Sequence, residues 1–402
     1  MIAPVEAATE ARGPRLRAVL REEERVTALE LFFDLVFVLA VTQCTALMAH
    51  DPSWGGVGRG LLVLAVLWWC WVGYAWLTSV VDPEEGAVRI AMFASMAALL
   101  VAALAVPHAF GSTALVFAIA YGAARAGQIA LFLLASRGQA ALRDSVLGLA
   151  ASSFVGISLL VIASQLHGTA QSALWCVAIV IDVAGPYVRG VEGWQLVPGH
   201  FAERHGLIVL IAIGESIVAI GSGARAEIST GVVVAAVAGV AVAATMWWLY
   251  FDVVAIVATR HLASAKPGRE QNSMARDSYS YLHFGMVAGI ILLAFGVKTT
   301  LAGVGRDLHT VPAAALFGGA ATYLLAHVAF RLRNIHTLNK QRLLTAILLV
   351  ALIPVVTTVP ALAALCALAV LLTALITYEA IRFSEGRNRI RHELAQQPVT
   401  AD

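Results

Sequence analysis

Ala28-Leu29-Glu30-Leu31-Phe32-Phe33-Asp34-Leu35-Val36-Phe37-Val38-Leu39-Ala40-Val41-Thr42-Gln43-Cys44-Thr45-Ala46-Leu47-Met48-Ala49 runs 22 residues without a basic side chain. A helix of that length extends about 33 Å, enough to cross the ~30 Å hydrocarbon core of a bilayer. Only two carboxylates interrupt it, and at i,i+4 spacing Glu30 and Asp34 share one helix face. Thr42 and Thr45 continue that polar side two to three turns further on. An ionised group at the centre of a membrane helix costs roughly 2.5–3.5 kcal/mol on insertion scales, so Asp34 is expected to have a partner or a task. Glu30, nearer the helix start, also suits the positive N-terminal end of the helix dipole.

The same apolar pattern recurs outward from this segment, at 59–81, 88–107, 112–135, 145–165, 172–190, 204–222, 229–257, 278–301, 312–331, 342–358 and 360–382. The reading is an all-α, polytopic integral membrane protein of ~12 transmembrane helices. Composition agrees: 60% of the 402 residues are apolar and 13% charged, with a mean hydropathy of +0.82. A soluble chain of this length needs more charge to cover its surface. Cys44, Cys70, Cys176 and Cys366 all lie in apolar stretches, with neither disulfide nor metal-ligand spacing, so no metal and no cofactor is expected. There is no phosphate-binding Gly loop, no His-Glu-x-x-His and no Gly-x-Ser-x-Gly. With no soluble domain for a nucleotide, ATP-driven transport is not expected of this chain alone, and nothing points to nucleic acid. The first ~25 residues are polar and carry Arg12, Arg15, Arg17, Arg21 and Arg25, with no apolar run that a signal peptide requires.

Loop charges orient the helices. With the N-terminus inside, 22 of the 27 basic residues fall in cytoplasmic segments, among them Arg89, Arg137, Arg143, Arg189, Arg260, Lys266, Arg269, Arg276, Arg331, Arg333, Lys340, Arg342, Arg382, Arg387, Arg389 and Arg391. Only Arg59, Arg225 and Arg306 fall outside, and Arg125 and Lys298 lie within helices. A wrong helix count would scramble this bias midway along the chain. Both termini are therefore expected in the cytoplasm.

The two halves resemble each other. Helix one carries Asp34 in an apolar run and helix seven carries Glu215. Helix two has Trp68-Trp69 and Tyr74; helix eight has Trp247-Trp248 and Tyr250. Helix four has Tyr121 four residues before Arg125; helix ten has Tyr323 four before His327. Six helices separate each pair, which predicts parallel six-helix repeats at 28–190 and 191–382, between cytoplasmic tails at 1–27 and 383–402.

The remaining site candidates are intramembrane ionisable groups. His200, Arg204 and Glu215 share one face of helix seven, with Arg204 and Glu215 about three turns apart. A mid-membrane carboxylate is what a proton-coupled carrier needs, whereas Glu203, Arg204 and His205 also fit interfacial anchoring. Arg125, flanked by Tyr121 and Gln128, requires a counter-charge; an ion pair with Asp34 or Glu215 and a substrate contact both fit. Asp182 precedes an expected break of helix six at Pro186, and Asp252 lies near the cytoplasmic face. His283 and His327 suit either proton relay or hydrogen-bonded packing. Lys298, near an outer helix end, is expected to snorkel. The aromatic runs read most simply as interface belts or packing.

Ala28 to Val38, Glu203 to Ile217, and Tyr279 to Phe284 followed by Met286-Val287-Ala288-Gly289-Ile290 closely resemble three hallmark segments of the bacterial low temperature requirement A (LtrA) family. The likeness extends from about residue 22 to 385. It implies a bacterial polytopic membrane protein named for a growth phenotype in the cold, without attaching a biochemical activity. Phe33 to Thr42 also looks like the Phe-Ser-Asp signature in the first helix of a potassium-channel family built from six-helix repeats, although Phe33 replaces its Ser and the second half offers Gly214-Glu215-Ser216.

The leading expectation is a secondary transporter of ions or a small solute, with a proton or monovalent cation as coupling ion. The alternatives are a potassium or cation channel, with Val38, Leu39 and Val41 as its constriction, and a lipid-modifying enzyme using Glu30, Asp34, Glu203 and His205. The bilayer is the one partner implied, the substrate is not identified, and the sequence leaves room for an oligomer.

Overall fold

Thr27 opens the first helix by accepting from the Glu30 amide, while Glu30 Oε2 accepts from the Thr27 amide at 2.9 Å. This reciprocal capping box starts helix α1, Ala28–His50. In the computed structural model, which describes residues 25–84, 86–188, 190–224 and 228–389, the expected apolar windows become helices. They are α2 (Trp54–Thr78), α3 (Gly86–Ala105), α4 (Ala114–Ala135), α5 (Ala140–Ala163), α6 (Gly168–Val188), α7 (Pro198–Gly223) and α8 (Thr230–Phe251). They continue with α9 (Val254–Ser264), α10 (Arg269–Met274), α11 (His283–Leu301), α12 (Thr310–Ile335), α13 (Lys340–Val356), α14 (Ala361–Arg382) and α15 (Ser384–Arg389). The basic positions Arg12, Arg15, Arg17, Arg21, Arg189, Arg225 and Arg391, and most of both tails, lie outside the described residues.

Three local expectations change. The eighth segment is broken at Asp252-Val253, and α9 carries the chain on to Ser264. The ninth starts earlier, at Arg269, and passes through a π-helical stretch, Ala275–Leu282, before α11. Helix six does not break at Pro186; the proline sits in its last turn and the helix ends at Val188.

Among the described residues, eleven segments are long and apolar enough to cross a membrane. The remaining one, α13, has 17 residues and extends only about 26 Å. Its ends nevertheless lie on opposite faces. The turn after it is tied to the α11–α12 loop, because the Ala361 and Leu362 amides donate to the Arg306 and Val304 carbonyls at 2.8 and 3.0 Å. At its start, Arg342 pairs with Glu379 near the far end of α14. Among the described residues, α13 therefore runs between the same two faces as those eleven segments.

Contacts between turns define those faces. On one, Gln195 donates to Gln139, Arg333 to Asp277, and Arg387 pairs with Asp252. Arg89, Arg137, Arg143, Lys266, Arg269 and Lys340 lie in the turns and helix ends on this basic face. On the other, Arg59 pairs with Asp51, whose carboxyl the Ser53 hydroxyl and Arg59 hold below the usual carboxylate range. Between the faces, large apolar side chains such as Phe154, Val180, Val237, Leu344 and Val370 are exposed, as lipid contact requires.

In the first half α1 packs on α2 and α3, α3 on α4, α4 on α5, and α5 on α6. In the second, α7 packs on α8 and α11, α11 on α12, α12 on α13, and α13 on α14. The α11–α12 crossing depends on glycine: a Cβ at Gly319 would lie 2.6 Å from the Leu293 amide nitrogen, and one at Gly289 2.7 Å from the Gly319 carbonyl oxygen. The halves meet where α1 packs on α7 and α11.

Candidate functional site

The seam between α1 and α7 holds the densest set of buried charges. Glu30, Asp34, His200 and Arg204 are each at most 1% exposed. Glu30 Oε1 accepts from Arg204 Nη1 at 3.1 Å and lies 2.8 Å from His200 Nε2. Asp34 Oδ1 accepts from Arg204 Nη2 at 2.6 Å and from Trp71 Nε1 at 2.8 Å. The end of α2 completes the set: Thr78 Oγ1 accepts from Arg204 Nη1 at 3.0 Å, and the Ser79 hydroxyl lies 3.1 Å from His200 Nδ1. Since a carboxylate can only accept, His200 donates Nε2–H to Glu30. Arg204 bridges both carboxylates of α1, and its guanidinium carbon sits 5.6 Å from the Trp71 ring centre.

Three turns deeper the same two helices meet again. Thr42 Oγ1 lies 2.5 Å from Glu215 Oε2 and 2.9 Å from the Val38 carbonyl, so its single proton is shared between two acceptors. Glu215 is 2% exposed. The face shared by His200, Arg204 and Glu215 thus abuts the face shared by Glu30, Asp34 and Thr42. Thr45 is buried beside it, its hydroxyl 3.2 Å from the Val41 carbonyl and within reach of the Glu215 carboxylate.

Arg125 has neither of the counter-ions expected for it. Its partner is Asp182, with Nη2 3.2 Å from both carboxylate oxygens. The helix order explains this: α4 packs on α5, which packs on α6, whereas Asp34 and Glu215 face the α1–α7 seam. Ser153 donates to Asp182 Oδ1 at 2.7 Å, Tyr121 to Oδ2 at 3.3 Å, and Arg125 Nη1 donates to Gln128 at 2.7 Å.

His283 and His327 belong to a third group. His283 Nδ1 lies 2.8 Å from the Ser278 carbonyl, so it donates there, and Nε2 accepts from Tyr250 at 2.9 Å. His205 likewise gives Nδ1–H to the Phe201 carbonyl, and its ring centre is 5.4 Å from that of His283. His327 Nδ1 meets Arg342 Nη1 at 3.1 Å, and Arg342 is bound twice by Glu379. Asp252 lies apart, capping α8 and pairing with Arg387 at 2.6 Å. The four residues expected for an enzyme do not join: Glu203 takes the Val26 amide at the surface, and His205 is turned toward Phe201, Trp71 and Tyr279. Trp68 and Trp69 are core residues rather than a belt, while Trp247 and Trp248 remain partly exposed.

Sequence reasoning missed Trp71, Thr78, Ser79 and Glu379. Thr78-Ser79, adjacent small hydroxyls one turn after Tyr74 at the basic end of a largely apolar α2, were a readable signal. Glu379, so near the chain end, reads as solvated until the α13–α14 fold returns it to Arg342.

These features define an all-helical polytopic membrane protein whose halves are joined through buried ion pairs. A family model described as bacterial low temperature requirement A protein (LtrA) matches residues 25–377. The chain belongs to this bacterial family. It is 31% identical over 299 residues to an uncharacterized protein of Rhizobium meliloti (strain 1021), covering 71% of this chain and 72% of that one. No solved structure matches.

Proposed function

We propose that this protein is a secondary transporter of ions or a small solute in the bacterial cytoplasmic membrane, with the basic face inside and the α1–α7 seam as its moving part. The observation that carries this reading is that α1 and α7 are joined by ionisable groups at two depths: Glu30 and Asp34 with His200 and Arg204, and Thr42 with Glu215. Membrane-buried charge is expensive and concentrates where substrates, protons or gates are handled. The similar packing order in the two halves supports parallel six-helix repeats, and rocking of one repeat against the other is how such duplicated carriers alternate access.

The chemistry of opening follows from the contacts. Arg204 holds both carboxylates of α1, and the facing groups are His200 on α7 and Trp71, Thr78 and Ser79 on α2. A proton arriving on Asp34 or Glu30 removes the charge that binds Arg204 and frees the seam. A cation arriving beside Glu215 competes with Thr42 in the same way. The test is flux of protons or potassium in liposomes, with Asp34→Asn and Glu215→Gln expected to abolish most of it. Planar-bilayer recording is the companion test: unitary current steps would replace this reading with a channel.

A further inference from the structure

A cavity of ≈ 650 Å³ opens on the basic face of the second half, and none of its lining residues belongs to α1 or α7. It lies where α8, α12 and α14 end and α9, α13 and α15 begin. Its size is that of a small-molecule site, about 300–1,000 Å³. The inner wall is polar and already paired. Arg342 is held by both oxygens of Glu379, meets His327 Nδ1 at 3.1 Å and donates to the Leu249 carbonyl at 3.3 Å. Asn339 Oδ1 caps α13 by accepting from the Arg342 amide, and its Nδ2 donates to Glu379. Nearer the surface, Asp252 pairs with Arg387.

Charge along this lining is not balanced. Four cations, Arg331, Lys340, Arg342 and Arg387, stand against two carboxylates, Asp252 and Glu379. Arg387 takes the first carboxylate and Arg342 the second. Arg331 and Lys340 are left over at the mouth, where both are exposed. Arg331 gives its Nε–H to Thr337 Oγ1 at 2.9 Å, and among the described residues neither cation has a carboxylate partner.

The mouth also borders lipid. Ile335, Leu338 and Phe383 line the cavity and are exposed. Lys340 heads the outward face of α13, which continues through Leu344, Ile347 and Leu348 at i+4, i+7 and i+8. All three are exposed, as acyl-chain contact requires. Lys340 therefore belongs both to the cavity and to a lipid-facing stripe. A soluble anion would use the cations and ignore the stripe, whereas a molecule joining an anionic head to acyl chains uses both.

We infer that this cavity binds an anionic glycerophospholipid from the leaflet that meets the basic face. The phosphate takes Arg331 and Lys340, the rest of the headgroup enters the cavity, and an acyl chain follows Leu344, Ile347 and Leu348. Basic pockets between membrane helices recognise anionic headgroups in this way. A zwitterionic headgroup brings its own cation and gains less from two unneutralised side chains, so the site selects for net negative charge. The assignment uses no step of the carrier proposed above and stands or falls without it.

The experiment titrates the full chain in neutral detergent with phosphatidylglycerol or phosphatidylcholine and counts retained lipid by native mass spectrometry. Saturable retention of phosphatidylglycerol is expected, with phosphatidylcholine bound much more weakly. The double variant Arg331→Gln, Lys340→Gln breaks no ion pair and should fold as the wild type does. Its affinity for phosphatidylglycerol should fall roughly thirtyfold, the worth of two interfacial cations. Arg137→Gln with Arg143→Gln removes the same charge from the same face, around the α4–α5 turn, and should stay within about twofold of wild type because salt screens distant charges. Wild-type affinity in the cavity variant, or equal retention of phosphatidylcholine, would overturn the assignment. An equal loss in the α4–α5 control would also overturn it, by showing diffuse attraction to the whole face. Displacement of the lipid by excess glycerol phosphate would do the same, by assigning the cavity to a soluble anion.

Discussion

Arg204 is the residue on which the α1–α7 seam turns, because one guanidinium satisfies two carboxylates that would otherwise sit buried and unpaired. Removing one partner of a buried ion pair costs about 3–5 kcal/mol, far more than the pair adds over an apolar packing. Arg204→Leu is therefore expected to lower the unfolding free energy in detergent by roughly that amount. Relief should follow if Glu30→Gln and Asp34→Asn are added. A single-mutant loss under about 1 kcal/mol would contradict the network, since that is the worth of an exposed pair. At this scale the sequence was partly legible. Helical spacing placed Glu30 with Asp34 and His200 with Arg204 and Glu215, and both sets meet. The ion-pair partners named for Arg125, Asp34 and Glu215, are not the ones it has, because spacing along one helix says nothing about which neighbour stands opposite; its counter-ion, Asp182, lay in view as a separate candidate.

Among elements, helix existence was read well and helix interruptions poorly. An apolar window marks a crossing by composition, but the break at Asp252-Val253 and the π-helical stretch before α11 depend on what packs against them. The glycine contact between α11 and α12 likewise belongs to tertiary structure. Gly319→Leu would push a side chain into the Leu293 backbone and should cost roughly 1–3 kcal/mol, the usual penalty of overpacking; an unchanged unfolding midpoint would refute the close crossing. Helix α13 provides a sharper test. In a background with the native cysteines replaced, a cysteine at Thr358 and one at Leu338 should react with an impermeant maleimide from opposite sides of the membrane. Labelling of both from one side would mean that α13 does not cross.

For the whole molecule, two faces, a set of antiparallel apolar helices and an exposed apolar girdle follow from composition and charge placement, which is why the membrane class was legible from one sequence. The proposed activity was not, because the contacts it rests on join helices far apart in the chain, such as Thr42 with Glu215, separated by 173 residues. The central claim is that the α1–α7 seam carries ion flux, and reconstitution tests it directly. Proton and potassium fluxes are to be measured in liposomes holding equal amounts of monodisperse wild type, Asp34→Asn, Glu215→Gln and the peripheral control Arg387→Gln. The account predicts flux in the wild type and in Arg387→Gln, reduced at least tenfold in both carboxylate variants. Wild-type flux persisting undiminished in Asp34→Asn and Glu215→Gln would contradict it.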